Sequence, residues 1–338
     1  MSEFDIHQAL RNVARDMLAG QPDWDQLVAA GWPGMEVAEE YGGGGASFAE
    51  TAVILTELGR AACPHSLLGA TLAVAATAGP GCDPALVARI AAGERAAVAM
   101  EVSATGAVGF SATGAGFVHG AAGFVPDAPG AELVLLVTDD QVLTADGVRV
   151  TAQPVLDQTR SLGLVTAGGA PDAPITAGWP ADARAIADRA AVAIACDSLG
   201  IAEAMLDATV SYVKIRHQFG RPIGSFQAVQ HACADMLVQV AAARRLVATA
   251  VAAIDTGADT DRAQAAHRAK AYATDAAVAV TGKAMQLHGG IGYTWESGIH
   301  VYLKRAALNR ALFGTPAQHR AQLAAALTAD STPGQHRE

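Results

Sequence analysis

Arg216-His217-Gln218-Phe219-Gly220-Arg221-Pro222-Ile223-Gly224-Ser225-Phe226-Gln227 is the stretch around which the whole chain is organised. Gly220, Pro222 and Gly224 interrupt any helix that runs into it, so it reads as a turn between two helices. A bare connection of that kind needs a glycine and a few polar residues. This one also carries Arg216 and Arg221, Gln218 and Gln227, Phe219 and Phe226. A guanidinium can hold a diphosphate through two parallel hydrogen bonds, a phenyl face can stack on a flat ring, and an amide can read a polar ring edge.

Helical periodicity flanks the stretch. Before it, Ile201, Met205, Ala208, Tyr212 and Ile215 recur at spacings of four, three, four and three. After it, Val229, Cys233, Met236, Val240, Ala243, Val247 and Ala250 keep the same rhythm. Stripes of this kind pack helices into a bundle at shallow crossing angles. The pattern predicts a third helix over about 260–286 and a fourth over about 298–312. A second distinctive stretch stands between those two: Gln286-Leu287-His288-Gly289-Gly290-Ile291-Gly292-Tyr293-Thr294-Trp295-Glu296. Its glycines allow a backbone to approach a ligand closely, and consecutive main-chain N–H groups can hold a phosphate oxygen without a lysine. Alone it reads equally well as an elaborate helix cap. Together the two stretches fit a dinucleotide held by loops, and no Gly-x-Gly-x-x-Gly follows a strand anywhere in the chain.

Residues 96–178 differ in character. Short β-like runs at 96–102, 116–119, 133–137, 148–151 and 162–165 alternate with glycines and with turn signals at Asp139-Asp140 and Asp146-Gly147. They predict a compact barrel or sandwich, followed by a surface loop over 168–174. Residues 5–95 read as helical, with Ile6, Leu10, Val13 and Met17 on one stripe and a further helix over about 47–60. Gly42 to Gly45 form a plain turn in preference to a phosphate loop, since no Gly-Lys-Ser/Thr follows and no strand precedes. The expected class is α+β: an N-terminal helical domain (1–95), a middle β-domain (96–178), a C-terminal helical bundle (179–328) and a disordered tail (329–338).

A formal net charge of −10 over 338 residues argues against nucleic acid as a partner, so an anionic ligand needs a local cluster of positive groups. No uninterrupted apolar run reaches the ~20 residues of a membrane span. The acidic N-terminus lacks the features of a leader, and Cys63, Cys82, Cys196 and Cys233 are scattered, as in a reduced, cytoplasmic protein. No spacing of His, Cys, Asp and Glu suggests a metal site.

At this point the residues resemble the acyl-CoA dehydrogenase family. Arg216-x-Gln218-Phe219-Gly220-x-Pro222-Ile223, followed by Phe226-Gln227, is similar to the family's first helical signature, and Gln286-x-x-Gly289-Gly290-x-Gly292-Tyr293 to its second. Weaker similarity runs through Glu39-Glu40-Tyr41-Gly42-Gly43 and Glu57-Leu58-Gly59-Arg60. The resemblance implies a helix–β–bundle fold, FAD as cofactor, an acyl-CoA thioester as substrate and an electron-transfer flavoprotein as acceptor. It also implies that Arg216, Gln218, Phe219, Phe226, Gln227, Gln286, Gly289 and Gly290 hold the adenosine and diphosphate end of a neighbouring subunit's flavin. The implied reaction removes an α-proton with a glutamate and a β-hydride with the flavin.

The pattern breaks at that glutamate. In most of the family it precedes a Gly-Thr; here Phe313, 23 positions beyond Gly290, stands before Gly314-Thr315. The alternative location, at the start of the first bundle helix, reads Asp188-Arg189-Ala190-Ala191, with Asp188 two or three positions out of register. The family's flavin loop is replaced by the shorter Met100-Glu101-Val102-Ser103-Ala104-Thr105-Gly106. The expectation is therefore a base-lacking subunit of a heteromer, similar to the α2β2 actinobacterial enzymes acting on steroid side chains, whose homologous partner carries the glutamate. The alternatives are a self-sufficient homo-oligomer whose displaced base is Glu296 or Glu101, and a flavin-free scaffold. His288 and His300 read as structural, Asp157-x-Thr159-Arg160 as a turn with an internal ion pair, and Tyr293-Thr294-Trp295 equally as an acyl-pocket wall or as stacking within a turn.

Overall fold

The computed structural model describes residues 3–64, 67–101, 109–169, 172–256 and 258–330. It opens with α1 (Glu3–Ala19), α2 (Trp24–Ala29), α3 (Phe48–Ala61), α4 (Leu68–Thr77) and α5 (Pro84–Ala91). Local chemistry sets several starts. Asp23 and Ser47 each close a reciprocal cap with the Gln or Glu three residues on, and Asp83 caps α5 ahead of Pro84. The glycine run is a plain turn: the N–H groups of Gly43, Gly44 and Gly45 donate to the carbonyls of Ala38, Gly34 and Val37. None of these three is left to face a phosphate.

The middle of the chain forms β1 (Ala96–Ala99), β2 (Phe110–Ala112), β3 (Phe117–Pro126), β4 (Leu133–Val137), β5 (Gln141–Ala145), β6 (Arg149–Ala152), β7 (Leu162–Ala167) and β8 (Ala173–Pro180). They join in one sheet of order β1-β4-β5-β8-β3-β7-β6, with β2 on β3. Phe110, Val118, Val125, Leu136, Leu143 and Val165 share a core of their own, so the sheet curls around it. Its outer face, with Val98, Leu135, Val137 and Val142, joins the main helical core. Three strands escape the sequence pattern, the short β2 among them. β5 is framed by the aspartates that read as turn markers, which are the hairpin ends of a strand. β8 begins inside the expected loop over 168–174, because Ala173 and Pro174 pair with Val118 and Phe117 and the strand then runs beside β5. Residues 102–106 of the expected flavin loop lie outside the described residues.

The C-terminal part holds α6 (Ala183–Ile215), α7 (Gln227–Thr256), α8 (Asp259–His288), α9 (Ile299–Ala311) and α10 (Pro316–Asp330). Four bundle helices were expected; α10 adds a fifth, begun by Thr315 and Gln318 exchanging backbone-to-side-chain hydrogen bonds around Pro316. The tail from 331 onward lies outside the described residues. No uninterrupted apolar run of that length occurs, but α7, broken by Asp235, Arg244 and Arg245, is long and apolar enough by length and composition to cross a membrane. The reason is its alanine content, which keeps hydropathy high all round the helix. Only 22% of its most apolar window is buried. Met236, Val240, Ala243, Val247 and Ala250 face the core, while Leu237 and Val238 stand more than half exposed.

Two glycines let α3 and α6 meet almost backbone to backbone. A Cβ on Gly59 would lie 2.0 Å from the Asp197 carbonyl oxygen, and one on Gly200 would lie 1.8 Å from that of Thr56. Inside an unpacked helix, Gly→Ala stabilises by roughly 1 kcal/mol. Here the sign reverses: Gly200→Ala is expected to lose about 1–3 kcal/mol in chemical denaturation through overpacking. A gain in stability would show that the two helices part without cost.

Below this crossing lies a buried ionic cluster. Arg305 of α9 donates Nε to Asp197 Oδ1 at 3.0 Å, Nη2 to Asp197 Oδ2 at 2.5 Å, and Nη1 to the Cys63 carbonyl and to Thr159 Oγ1, each at 2.8 Å. Asn309 donates to Asp197 at 2.6 Å and accepts from Arg160 at 3.0 Å. Asp157 accepts from the Thr159 N–H and hydroxyl. The Asp157-x-Thr159-Arg160 turn thus does more than its expected internal pairing, because Arg160 also reaches 3.1 Å from Asp197 in the bundle. Burial pushes the Asp197 carboxyl up, but the Arg305 and Arg160 charges outweigh it and hold the group at about 2.

Candidate functional site

The two distinctive stretches meet at one end of the bundle. α6 and α8 deliver them, and Tyr212 and His288 tie these helices together. Their rings stack at 4.3 Å, and the Tyr212 hydroxyl donates to the His288 carbonyl at 3.3 Å. His288 is otherwise held by the Ala284 carbonyl at 2.7 Å, which fits its structural reading.

From Arg216 onward the chain makes a two-stranded hairpin, β9 (His217–Gln218) against β10 (Arg221–Pro222), and then a tight turn over Ile223–Ser225. Phe219 and Gly220 are its two central residues and both have positive φ, 52° and 77°. A two-residue loop joining twisted strands requires that geometry. Glycine accepts it freely; a phenylalanine does not, and leaving it there stores on the order of 1 kcal/mol. Within this chain the strain has no return in packing, since Phe219 is 89% exposed. Its ring meets Phe226 edge-on at 6.1 Å, and the Arg221 guanidinium lies over the Phe226 ring at 4.1 Å. Phe226 is therefore half-buried with one face occupied, while Phe219 is the open aromatic. Arg216, Gln218 and Gln227 are exposed, and Gln227 is the first residue of α7.

The glycines of the second stretch serve different ends. Gly292 is needed by the fold, because a Cβ would sit 2.4 Å from the Met285 carbonyl oxygen. Gly289 is needed by its backbone, with φ at 62°. Gly290 answers to neither: its φ is ordinary and a Cβ would meet nothing within 4 Å. The chain's own packing does not ask for that missing side chain. Gln286 is exposed and accepts from Lys283 at 2.9 Å, which orients its amide. Beyond it, Trp295 packs edge-on to His300 at 4.4 Å with Lys304 over its ring, so Tyr293-Thr294-Trp295 is a stacked surface turn and no acyl wall.

About 28 residues along α6, roughly 40 Å at 1.5 Å per residue, the opposite end of the bundle holds a cavity of about 710 Å³ lined in part by Phe313 and Asp188. Phe313 also packs against the main core, in a left-handed conformation with φ at 54°. Its carbonyl accepts from His319 Nε2 at 3.0 Å, and that of Gly314 accepts from the buried Lys270 at 2.7 Å. Burial lowers the Lys270 amine to about 7. Asp188, two or three positions out of register with the alternative base, lines this cavity together with Phe313. Its Arg189 neighbour turns elsewhere, onto Glu36 and the Phe48 ring. Neither expected displaced base is placed for proton transfer in a closed site. Glu101 and Glu296 are exposed, and the carboxyl of Glu296 is lowered by its own backbone N–H and by Thr294.

Comparison with known proteins adds to this geometry. Residues 5–80 match the family model described as acyl-CoA dehydrogenase, N-terminal domain, and residues 176–328 the model described as acyl-CoA dehydrogenase, C-terminal domain. The chain is 35% identical over 321 residues to acyl-CoA dehydrogenase IpdE2 of Mycolicibacterium smegmatis, covering 94% of this chain and 92% of that protein. Among solved structures it is similar to the Tcur3481-Tcur3483 steroid ACAD G363A variant, at a TM-score of 0.87 and 26% identity over 98% of this chain and 99% of that one. The fold is also that of a chain of the ChsE4-ChsE5 complex from Mycobacterium tuberculosis, at a TM-score of 0.84 and 23% identity over 99% of each.

Proposed function

The chain belongs to the acyl-CoA dehydrogenase family, an FAD-dependent group of oxidoreductases acting on acyl-CoA, and on that premise we propose that it works as one subunit of a heteromer. In this reading it supplies the adenosine and diphosphate half of a flavin site whose other half, with the glutamate base, belongs to a homologous partner. One observation carries the reading: Phe313 stands where the base is expected, while the Arg216 and Gln286 stretches stay assembled and open.

The open groups suit a flavin dinucleotide. Arg216 would pair with the diphosphate and Phe219 would cover a flat ring. Gln218, Gln227 and Gln286 would meet polar edges, with Phe226 behind Phe219, and the backbone at Gly289 and Gly290 would let the ligand approach. FAD, when bound, accepts the hydride of α,β-dehydrogenation. The α-proton leaves to the partner's carboxylate, because Phe313 cannot take it. The uncovered face of α7 supports a partner subunit, since a helix this apolar is ordinarily packed on both sides. Similarity to a steroid ACAD supports a bulky alicyclic acyl group, and the fold-level likeness supports electron-transfer flavoprotein as the acceptor. Exposure of Glu101 and Glu296 weighs against the self-sufficient reading, and the open strain at Phe219 weighs against a flavin-free scaffold.

The test is production of the chain alone and together with a homologous subunit that retains the glutamate. Expected are little flavin and no acceptor reduction over a broad acyl-CoA panel for the chain alone, with visible flavin absorbance and activity in the co-purified complex. Full activity of the chain alone would overturn the heteromer.

A further inference from the structure

The charges on the open face of α7 say what covers it. Ala234, Val238, Ala241, Arg245, Ala248 and Ala252 are all exposed, at spacings of four, three, four, three and four. That rhythm makes one seam along the helix, opposite the buried stripe of Met236, Val240, Ala243, Val247 and Ala250. The middle of the seam is apolar and small. Val238 is 66% exposed and Leu237 beside it 54%, and the alanines let a second helix come close. Two opposite charges bracket this middle, Asp235 before it and Arg245 ten residues later. Both side chains are exposed, and neither has an ion pair among the described residues. Arg244, by contrast, is held on Glu203 at 2.5 and 2.9 Å. The occupant of this face therefore has to answer one negative and one positive charge set on either side of an apolar centre.

We propose that the open face of α7 packs against the same face of a second copy of this chain, antiparallel, about a two-fold axis beside Gln239 and Val240. Asp235 and Arg245 lie equally far from Val240 along the helix, so in that register Asp235 of each copy stands level with Arg245 of the other. Val238 comes within one residue of level with Ala241 of the second copy, about 1.5 Å along the axis. The contact is isologous, so the ion pair forms twice. A parallel pairing about a two-fold axis is disfavoured, because it sets Asp235 against Asp235 and Arg245 against Arg245. A membrane surface is disfavoured as well, because Arg245 stands in the seam and Asp235 beside it.

The contact forms between copies of this chain and needs neither flavin nor another subunit, so its failure would leave the flavin reading as it stands. Joined to the proposed sharing of a flavin site, it makes an assembly of two copies of each subunit.

Sedimentation velocity of the full chain alone, over a concentration series, should show a monomer–dimer equilibrium. Asp235→Arg and Arg245→Asp each turn both ion pairs into like-charge contacts, and each should weaken the dimer roughly ten-fold. An equimolar mixture of the two variants decides the geometry. One copy then offers two arginines and the other two aspartates, both pairs are restored, and mixed dimers should form about as tightly as the wild type. Val238→Lys should abolish the dimer. All three positions are exposed, so the thermal midpoint of each variant should show a folded chain. A wild-type chain that stays monomeric throughout, a charge variant that dimerises as the wild type does, or a mixture no tighter than its components would overturn the proposal. Association that appears only when a homologous subunit is added gives the face to that subunit and overturns it too.

Discussion

Replacing Asp197 with alanine is expected to cost about 3–5 kcal/mol, enough to leave much of the chain unfolded, because the substitution strands two buried guanidinium groups. Arg305 and Arg160 both lie within hydrogen-bonding distance of that carboxylate, and Arg305 is 1% exposed. Neither can shed its charge as a lysine can. Asp157 would remain, 3.9 Å from Arg160, as one carboxylate for two guanidinium groups, while Asn309, Thr159 and the Cys63 carbonyl satisfy individual N–H groups without neutralising them. Chemical denaturation of the variant measures the loss. A change below about 1 kcal/mol would mean that water reaches the cluster, whose adjoining gap is only about 10 Å³.

The pH dependence gives a second reading of the same group. The Asp197 carboxyl falls from the ordinary 3.8 to about 2 on folding. A depressed carboxylate contributes stability that is fully present above its unfolded value and disappears as pH falls through its folded value. The wild-type chain should therefore lose stability steeply between about pH 4 and pH 2, and the alanine variant should lose less over that window. A parallel decline in both would contradict the assignment of charge within the cluster.

Arg216→Ala is expected to empty the flavin site of the assembled complex while leaving the chain itself intact. A charge-assisted, two-pronged contact contributes about 1.5–3 kcal/mol, which corresponds to roughly 10–100-fold in cofactor affinity. Arg216 is exposed, so its removal should move the thermal midpoint of the isolated chain very little. Arg216→Lys restores the charge without the planar fork and should recover only part of the occupancy. Flavin content per complex, read from visible absorbance after gel filtration, decides the point. Unchanged occupancy in the alanine variant removes Arg216 from the site.

Much of this was legible in the sequence because the relevant signals are local. A 3.6-residue stripe declares a helix wherever it sits, and the rhythm from Val229 to Ala250 is the buried face of α7. The Arg216 and Gln286 stretches were legible for a different reason: they combine glycines with side chains that a plain turn does not need. What stayed hidden depends on pairing across the chain. β8 consists of residues that look like loop until β5 and β3 supply their partners. The Asp197–Arg305 pair joins residues 108 apart in the sequence, and nothing near either residue announces the other. Asp188 was judged by register alone, which fixes its direction on the helix but says nothing of a cavity that α8 and α10 close around it. The contact of His267 with His319, 2.9 Å between their Nδ1 atoms, likewise exists only once α8 and α10 are side by side.

α7 has a consequence for the life of the chain in a cell. A helix that leaves most of its apolar window in water makes folding a collective property. The free energy that keeps such a chain in its native state is completed by whatever covers that face, and it varies with the concentration of the covering molecule. Copies made in excess hold an adhesive surface in the open and are the first to be degraded or to clump. In the proposed heteromer, abundance of the functional protein would then be set by stoichiometry, through the scarcer of the two components, even where the genes are expressed unequally.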